Sequence, residues 1–197
     1  MDRLSGMNGF FYRVRVGLVF GVMVGALAVR GGAEGPETGA RIPEVHATSF
    51  AGEAVNLPEG LRGKVGVLVL GFSHASRDEV AGWGKRLAGD YRESPTVIYY
   101  EMPMLAGVPR MMRGFIAGQI KGSVPDRAKA RFVPLLENEA GWREVTHSKS
   151  GDDAYVLVVD EHGLVQLEMQ GAATDAAYGA VKQRVEALRA GIGRAVR

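Results

Sequence analysis

The apolar positions of this chain fall into runs with two different periods. Val65-Gly66-Val67-Leu68-Val69-Leu70 and Thr96-Val97-Ile98-Tyr99-Tyr100-Glu101 are short continuous runs, the pattern of strands buried on both faces. Tyr155–Asp160 is a third run of this kind. Glu161-His162-Gly163 supplies a tight turn after it, and Leu164–Met169 alternates as an antiparallel partner strand should. Upstream, Ile42–Val45 and Phe50–Leu57 predict an edge segment and a short hairpin, with a turn at Gly60–Lys64 leading into the first buried strand.

Between the strands the period lengthens. Val80, Trp83, Leu87 and Tyr91 recur at helical spacing, and Ser76 with Glu79 has the Ser-x-x-Glu spacing of a capping box, so a helix is predicted over Arg77–Tyr91. Residues 109–138 predict two more helices. The first begins with Pro109 at its first position and carries Met112, Phe115, Ile116 and Ile120 along one side; the second is opened by Pro125 and ended by Pro134. Met102, Met104, Met111 and Met112 are read as core and gap-filling residues, with an adaptable binding surface as the alternative, and Trp83 and Trp142 as packing residues. A last helix, capped by Thr174 and carrying Tyr178, Val181, Val185 and Leu188, runs to about Ala190. The order is hairpin, βαβ, helices, then ββα. It predicts an α/β three-layer sandwich, a mixed central sheet with helices on both faces.

The N-terminus follows neither period. Arg3, Arg13 and Arg15 precede an unbroken apolar stretch from Val16 to Val29, and Ala26-Leu27-Ala28 fits the small-x-small rule of signal peptidase. Residues 1–28 are therefore read as an export signal or a membrane anchor formed by residues 16–29. Residues 29–41 are then a Gly-rich spacer, 42–190 the folded domain and 191–197 a tail. The domain is expected on the far side of a membrane, periplasmic or otherwise extracytoplasmic. Of 24 basic and 22 acidic residues the leader takes Arg3, Arg13, Arg15 and Asp2, which leaves 21 of each. The mature domain is neutral, and its charge gives no support for nucleic-acid binding.

Cysteine is absent, which removes disulfides, thiolate metal sites and cysteine nucleophiles together. His46, His74, His147 and His162 lack metal-ligand spacing, and no cofactor is expected. The candidate chemistry lies at Gly71-Phe72-Ser73-His74-Ala75-Ser76, where the first buried strand gives way to a helix. One reading is a nucleophile elbow, Gly-x-Ser-x-Ala, with Ser73 as nucleophile and His147 or His162 and Asp152, Asp153 or Asp160 as partners. Residues 29–64 are too few for the strands that an α/β-hydrolase places before its elbow. A site assembled from positions distant in sequence is a further alternative.

The other reading starts from a resemblance. Lys64–Glu79 resembles the first active-site strand and helix of thioredoxin-like and peroxiredoxin-like proteins, and Tyr155–Gly163 resembles their later strand and Asp-x-x-Gly turn. In the exported thiol oxidoreductases of that superfamily a Cys-x-x-Cys follows the strand, and aligning on Arg77 and Glu79 puts Ser73 and Ser76 at the two cysteine positions. A cis-proline precedes the later strand in the family; this chain has Asp152-Asp153-Ala154. Gly71-Phe72-Ser73, Tyr100-Glu101-Met102-Pro103 and Gly171-Ala172-Ala173-Thr174 extend the likeness to the mitochondrial ATP synthase assembly factors, thioredoxin-like proteins without a consistent redox pair. The resemblance implies a thioredoxin-like domain over about residues 42–190. Without a thiolate it has no redox chemistry, because a serine hydroxyl does not exchange electrons. What it implies instead is a binding or assembly module for a protein partner, in a membrane complex if the leader is kept as an anchor, with Phe72, His74 and Ala154 as partner-binding candidates. Ser76 is read as a helix N-cap.

Overall fold

The computed structural model describes residues 39–195, with side chains placed through Ile192. The leader and nearly all of the spacer lie outside the described residues. Six strands form, β1 (Val45–Thr48), β2 (Ala54–Leu57), β3 (Val65–Gly71), β4 (Val97–Pro103), β5 (Ala154–Val159) and β6 (Val165–Gln170), with helices α1 (Arg77–Tyr91), α2 (Arg110–Ser123), α3 (Glu139–Val145) and α4 (Asp175–Ala195). β1 and β2 make a separate antiparallel hairpin, and the main sheet has the order β4-β3-β5-β6. β3 runs parallel to β4 and antiparallel to β5, and β6 returns antiparallel beside β5.

Side-chain alternation on the inner strands divides the core in two. Val65, Val67 and Val69 of β3 and Ala154, Val156 and Val158 of β5 face α1 and α4, where they meet Trp83, Leu87, Tyr178, Val181 and Val185. Leu68 and Leu70 of β3 and Tyr155, Leu157 and Val159 of β5 face the opposite way, toward the hairpin residues Val45, Val55 and Leu57, toward Leu61, and toward Trp142 of α3. The helices are thus unequally shared between the faces. Two long helices cover one, while a hairpin, a short helix and an extended segment cover the other. Trp83 and Trp142, at 0% and 1% exposure, are the large side chains each layer closes on, as expected for packing residues.

Three expectations need correction. The second helix after Pro125 is a 3-10 turn over Asp126–Arg131 that gives way to an extended segment: Val133 N–H donates to Glu101 O at 2.9 Å and Leu135 N–H to Pro103 O at 2.9 Å, which covers the free edge of β4. An open edge with unpaired carbonyls outweighs local helix preference there. A short helix, α3, forms instead at 139–145, started by Asn138 in the left-handed conformation (φ 56°) with its side-chain oxygen accepting from Gly141 N–H. The last helix continues to Ala195 instead of ending near Ala190, because Leu188 and Ile192 still rest on the core despite Gly191. Pro109 stands one residue before α2, as its cap, and not at its first position.

Glycine marks a tight layer contact. A Cβ on Gly66, in the middle of β3, would lie 2.6 Å from Val159 Cγ2 and 2.8 Å from Leu61 Cδ2, whereas one on Gly82 of α1 would meet nothing within 4 Å. Gly66→Ala should therefore destabilise the domain by about 1–3 kcal/mol through overpacking, and Gly82→Ala should stabilise it by about 0.5–1 kcal/mol through helix propensity. Urea unfolding of both variants checks the opposite signs; equal effects would show that Gly66 is not a packing contact.

Candidate functional site

The strand-to-helix junction is built from backbone needs first. β3 ends at Gly71, and a Cβ there would lie 2.8 Å from Ser76 Oγ, so the returning turn sits directly on the strand end. Ser73 Oγ accepts from Ala75 N–H at 3.0 Å and donates to Asp152 Oδ1 at 3.3 Å, and Ser76 Oγ donates to Ser73 O at 2.9 Å. Both hydroxyls are thus tied into the turn that starts α1. Ser73, His74 and Ala75 are exposed, and Ser76 is buried.

The capping box does not form. Ser76 has helical dihedrals (φ −72°, ψ −6°) and its side chain caps no helix N–H, since a capping residue needs extended backbone to aim its oxygen at the next turn. Glu79, the other half of the predicted box, reaches across to the start of β5, where Oε2 accepts from Ala154 N–H at 2.8 Å. That bond joins the two segments of the site and corrects the reading of Ala154. Ala154 is 0% exposed, its carbonyl accepts from Gly171 N–H, and neither its side chain nor its backbone groups can meet a partner. Leu57–Pro58 is the one cis peptide among the described residues, so Ala154 follows a trans bond.

Phe72 is nearly buried. Its ring packs edge-to-face with Tyr155 at 5.6 Å between centroids, and the Arg143 guanidinium lies 4.5 Å above it. Of the three partner-binding candidates, His74 alone presents its side chain outward. Around it the rim is acidic, with Asp78 in the first turn of α1 and Asp152 beside Ser73, charges that suit a helix N-terminus but repel an anion.

A triad is not brought together. Ser73 has no imidazole partner among the described residues. His147 Nδ1 lies 3.0 Å from Glu168 Oε2, and His162 sits in the β5–β6 turn, at the far end of a strand whose other end, Ala154, pairs with Gly71. Asp160 is occupied within that turn by the N–H groups of His162 and Leu164 and by Gln166. Among the described residues no three His, Asp or Glu side chains gather as a metal site would require.

One buried group escaped notice in the sequence except as the end of a strand. Glu101 of β4 is a carboxylate only 5% exposed. It lies against Gly84 of α1, where any Cβ would overlap the carboxylate. Burial pushes the Glu101 carboxyl up to about 8 from the usual 4.5. The signal that could have found it is the pair itself, a carboxylate inside an apolar run and a glycine inside a buried helix face.

Comparison with known proteins bears on the fold. Neither any protein-family model nor any curated protein sequence matches the chain. Among solved structures it is similar to a protein described as the thiol:disulfide interchange protein DsbE of Chlorobium tepidum, at TM-score 0.55 and 17% identity over 78% of this chain and 98% of that one. It is similar also to the thioredoxin domain of a thiol-disulfide oxidoreductase of Bacteroides vulgatus (TM-score 0.51, 16% identity, 76% and 98% covered). The exposed lipoprotein thioredoxin of Streptococcus pneumoniae gives TM-score 0.52 at 12% identity, with 72% and 98% covered. The chain has a thioredoxin-like fold. The chain itself contains no cysteine.

Glu101 sets a pH dependence. The unfolded carboxyl loses its proton near 4.5 while the folded one holds it to about 8, so its favourable contribution is full below 4.5 and is lost as pH rises between these values. Glu101→Gln should remove at most about 5 kcal/mol of this dependence, raising Tm at pH 8 and leaving it nearly unchanged at pH 4.5. Parallel thermal melts across that range test it, and an identical Tm slope in the variant would sink it.

Proposed function

We propose that this chain is an exported or membrane-anchored thioredoxin-fold protein that has given up thiol chemistry and acts as a binding or assembly module for a protein partner. The carrying observation is the junction itself: the chain has no cysteine, and the two serines that the resemblance aligns with Cys-x-x-Cys close the turn with their hydroxyls. A serine hydroxyl without an imidazole base is neither an electron carrier nor the activated nucleophile of a triad. The surface left for recognition is Ser73, His74 and Ala75 with Asp152 beside them, and its acidic rim fits a neutral or basic segment of a partner. The apolar leader and the extracytoplasmic character of a neighbour such as the exposed lipoprotein thioredoxin support export. The assembly-factor likeness, carried by short motifs, supports a role in building a membrane complex.

Two measurements test this reading. The purified protein should neither reduce insulin nor consume peroxide, and a fluorophosphonate probe should leave Ser73 unlabelled; turnover in either redox assay, or labelling abolished by Ser73→Ala, would replace it with an enzyme. A photo-crosslinking residue placed at His74 in living cells should capture one discrete protein that the same residue at exposed Gln183 of α4 does not. Identical capture at both positions would remove the junction as the recognition surface.

A further inference from the structure

Helix α2 is assembled in reverse of an ordinary surface helix. No residue of Arg110–Ser123 is buried, and Arg113 faces the protein while Met111, Met112 and Phe115 face water. Arg113 donates to Val108 O at 2.8 Å, Leu136 O at 3.1 Å and Ala106 O at 2.5 Å, and this side, with half-buried Ile116 and Ile120, is the attached face. Opposite it, Met111 is 91% exposed and Phe115 67%, with Met112 at 47% and the neighbouring Leu136 at 46%. The corrected reading of the methionines follows: Met102 and Met104 are core, while Met111 and Met112 are surface. At ~100° per residue Met111, Phe115, Gly118 and Gly122 share a sector of about 60°, and the space beside both glycines is open. Arg110 and Lys121 lie on one shoulder of this ridge.

Charge says what the ridge would meet. No acidic residue occurs from Met102 to Pro125. Residues 102–136 hold six cations, Arg110, Arg113, Lys121, Arg127, Lys129 and Arg131, against a single carboxylate, Asp126, which is already bound by Lys129 at 2.6 Å. Of the 21 basic and 21 acidic residues of 29–197, that leaves 15 basic and 20 acidic elsewhere. A cationic, apolar, glycine-smoothed ridge on an otherwise acidic domain is complementary to a flat anionic surface with an apolar layer beneath it.

We propose that α2 is a peripheral membrane-docking helix, which lays Met111, Met112 and Phe115 into the interfacial layer of an anionic bilayer while Arg110 and Lys121 meet lipid phosphates. Arg110 and Lys121 extend to the phosphate level as their stems follow the apolar side chains down. The docking does not depend on the partner-binding reading of the Ser73–Ala75 surface, which lies on another segment.

Because the chain has no cysteine, a single introduced one can be labelled uniquely. The full-length protein carrying Phe115→Cys, labelled with an environment-sensitive nitrobenzoxadiazole dye, is mixed with vesicles of equal parts phosphatidylcholine and phosphatidylglycerol; Gln183→Cys on α4 is the control for tethering by the N-terminal segment. Emission at position 115 should rise several-fold and shift to the blue while position 183 stays as in water. The rise should be absent with phosphatidylcholine alone, and Arg110→Glu with Lys121→Glu should weaken vesicle partitioning at position 115 by roughly tenfold or more, at about 1 kcal/mol per cation. A label at 115 that responds no more than one at 183 overturns the proposal and assigns the ridge to a protein partner. A response undiminished by the charge reversals, or equal on phosphatidylcholine, overturns the anionic-lipid assignment.

Discussion

The structure depends on β3. All seven of its residues are buried, and it is the strand that holds both a parallel and an antiparallel neighbour. A strand in that position must be apolar on both faces, and its alternation decides which residues face α1 and α4 and which face the hairpin. Gly66 and Gly71 are the two places where this strand makes room for something else, Leu61 and Val159 in the first case and the Ser76 turn in the second. The candidate site exists because β3 ends there. Its register against β5 sets Gly71 beside Ala154, which brings residues 71–76 and 152–154 together although they are distant in sequence.

This dependence explains what could be read from the chain alone. Runs buried on both faces, or repeating at helical spacing against a sheet, carry their own address, and β3, α1, β4, β5 and β6 lie within one or two residues of where the periodicity puts them. Segments whose conformation is set by a neighbour's unmet hydrogen bonds do not. Residues 132–135 are extended because β4 offers open carbonyls, a fact about an edge and not about Phe132-Val133-Pro134-Leu135. α3 depends on Asn138 adopting a left-handed conformation, which its sequence permits but does not require. At the site the same limit applies. That the junction holds serines and no cysteine was legible, but that Glu79 serves Ala154 and not Ser76 was not, because the N–H that its carboxylate accepts from belongs to a strand 75 residues away.

The serine turn separates two things that a redox-active thioredoxin-like site joins. Starting a helix at the end of a buried strand needs acceptors for the first N–H groups and a way to anchor the turn. Here the hydroxyls anchor the turn: Ser73 Oγ accepts from Ala75 N–H at 3.0 Å and Ser76 Oγ donates to Ser73 O at 2.9 Å, while neither caps an N–H of α1. Exchanging electrons needs a thiolate, which nothing here supplies. The fold does not itself require a thiolate, and a match in fold to thiol oxidoreductases, at identities of 12–17%, says nothing of activity.

Net charge conceals as much as fold does. A count of 21 against 21 makes residues 29–197 neutral, yet carboxylates are nearly excluded from 102–136, which hold one against six cations, and lie elsewhere, including the rim at Asp78 and Asp152. Such a distribution is costly to place at random, because opposite charges on a folded surface gain by interspersing. Within 102–136, Arg113 is turned inward onto three carbonyls. Two surfaces of opposite sign on one small domain set different requirements on what each can approach: the acidic junction favours neutral or basic groups, and the basic helix favours anionic ones. The protein is therefore electrically polar at a formal neutrality, and recognition at either surface is governed by local charge and not by the sum.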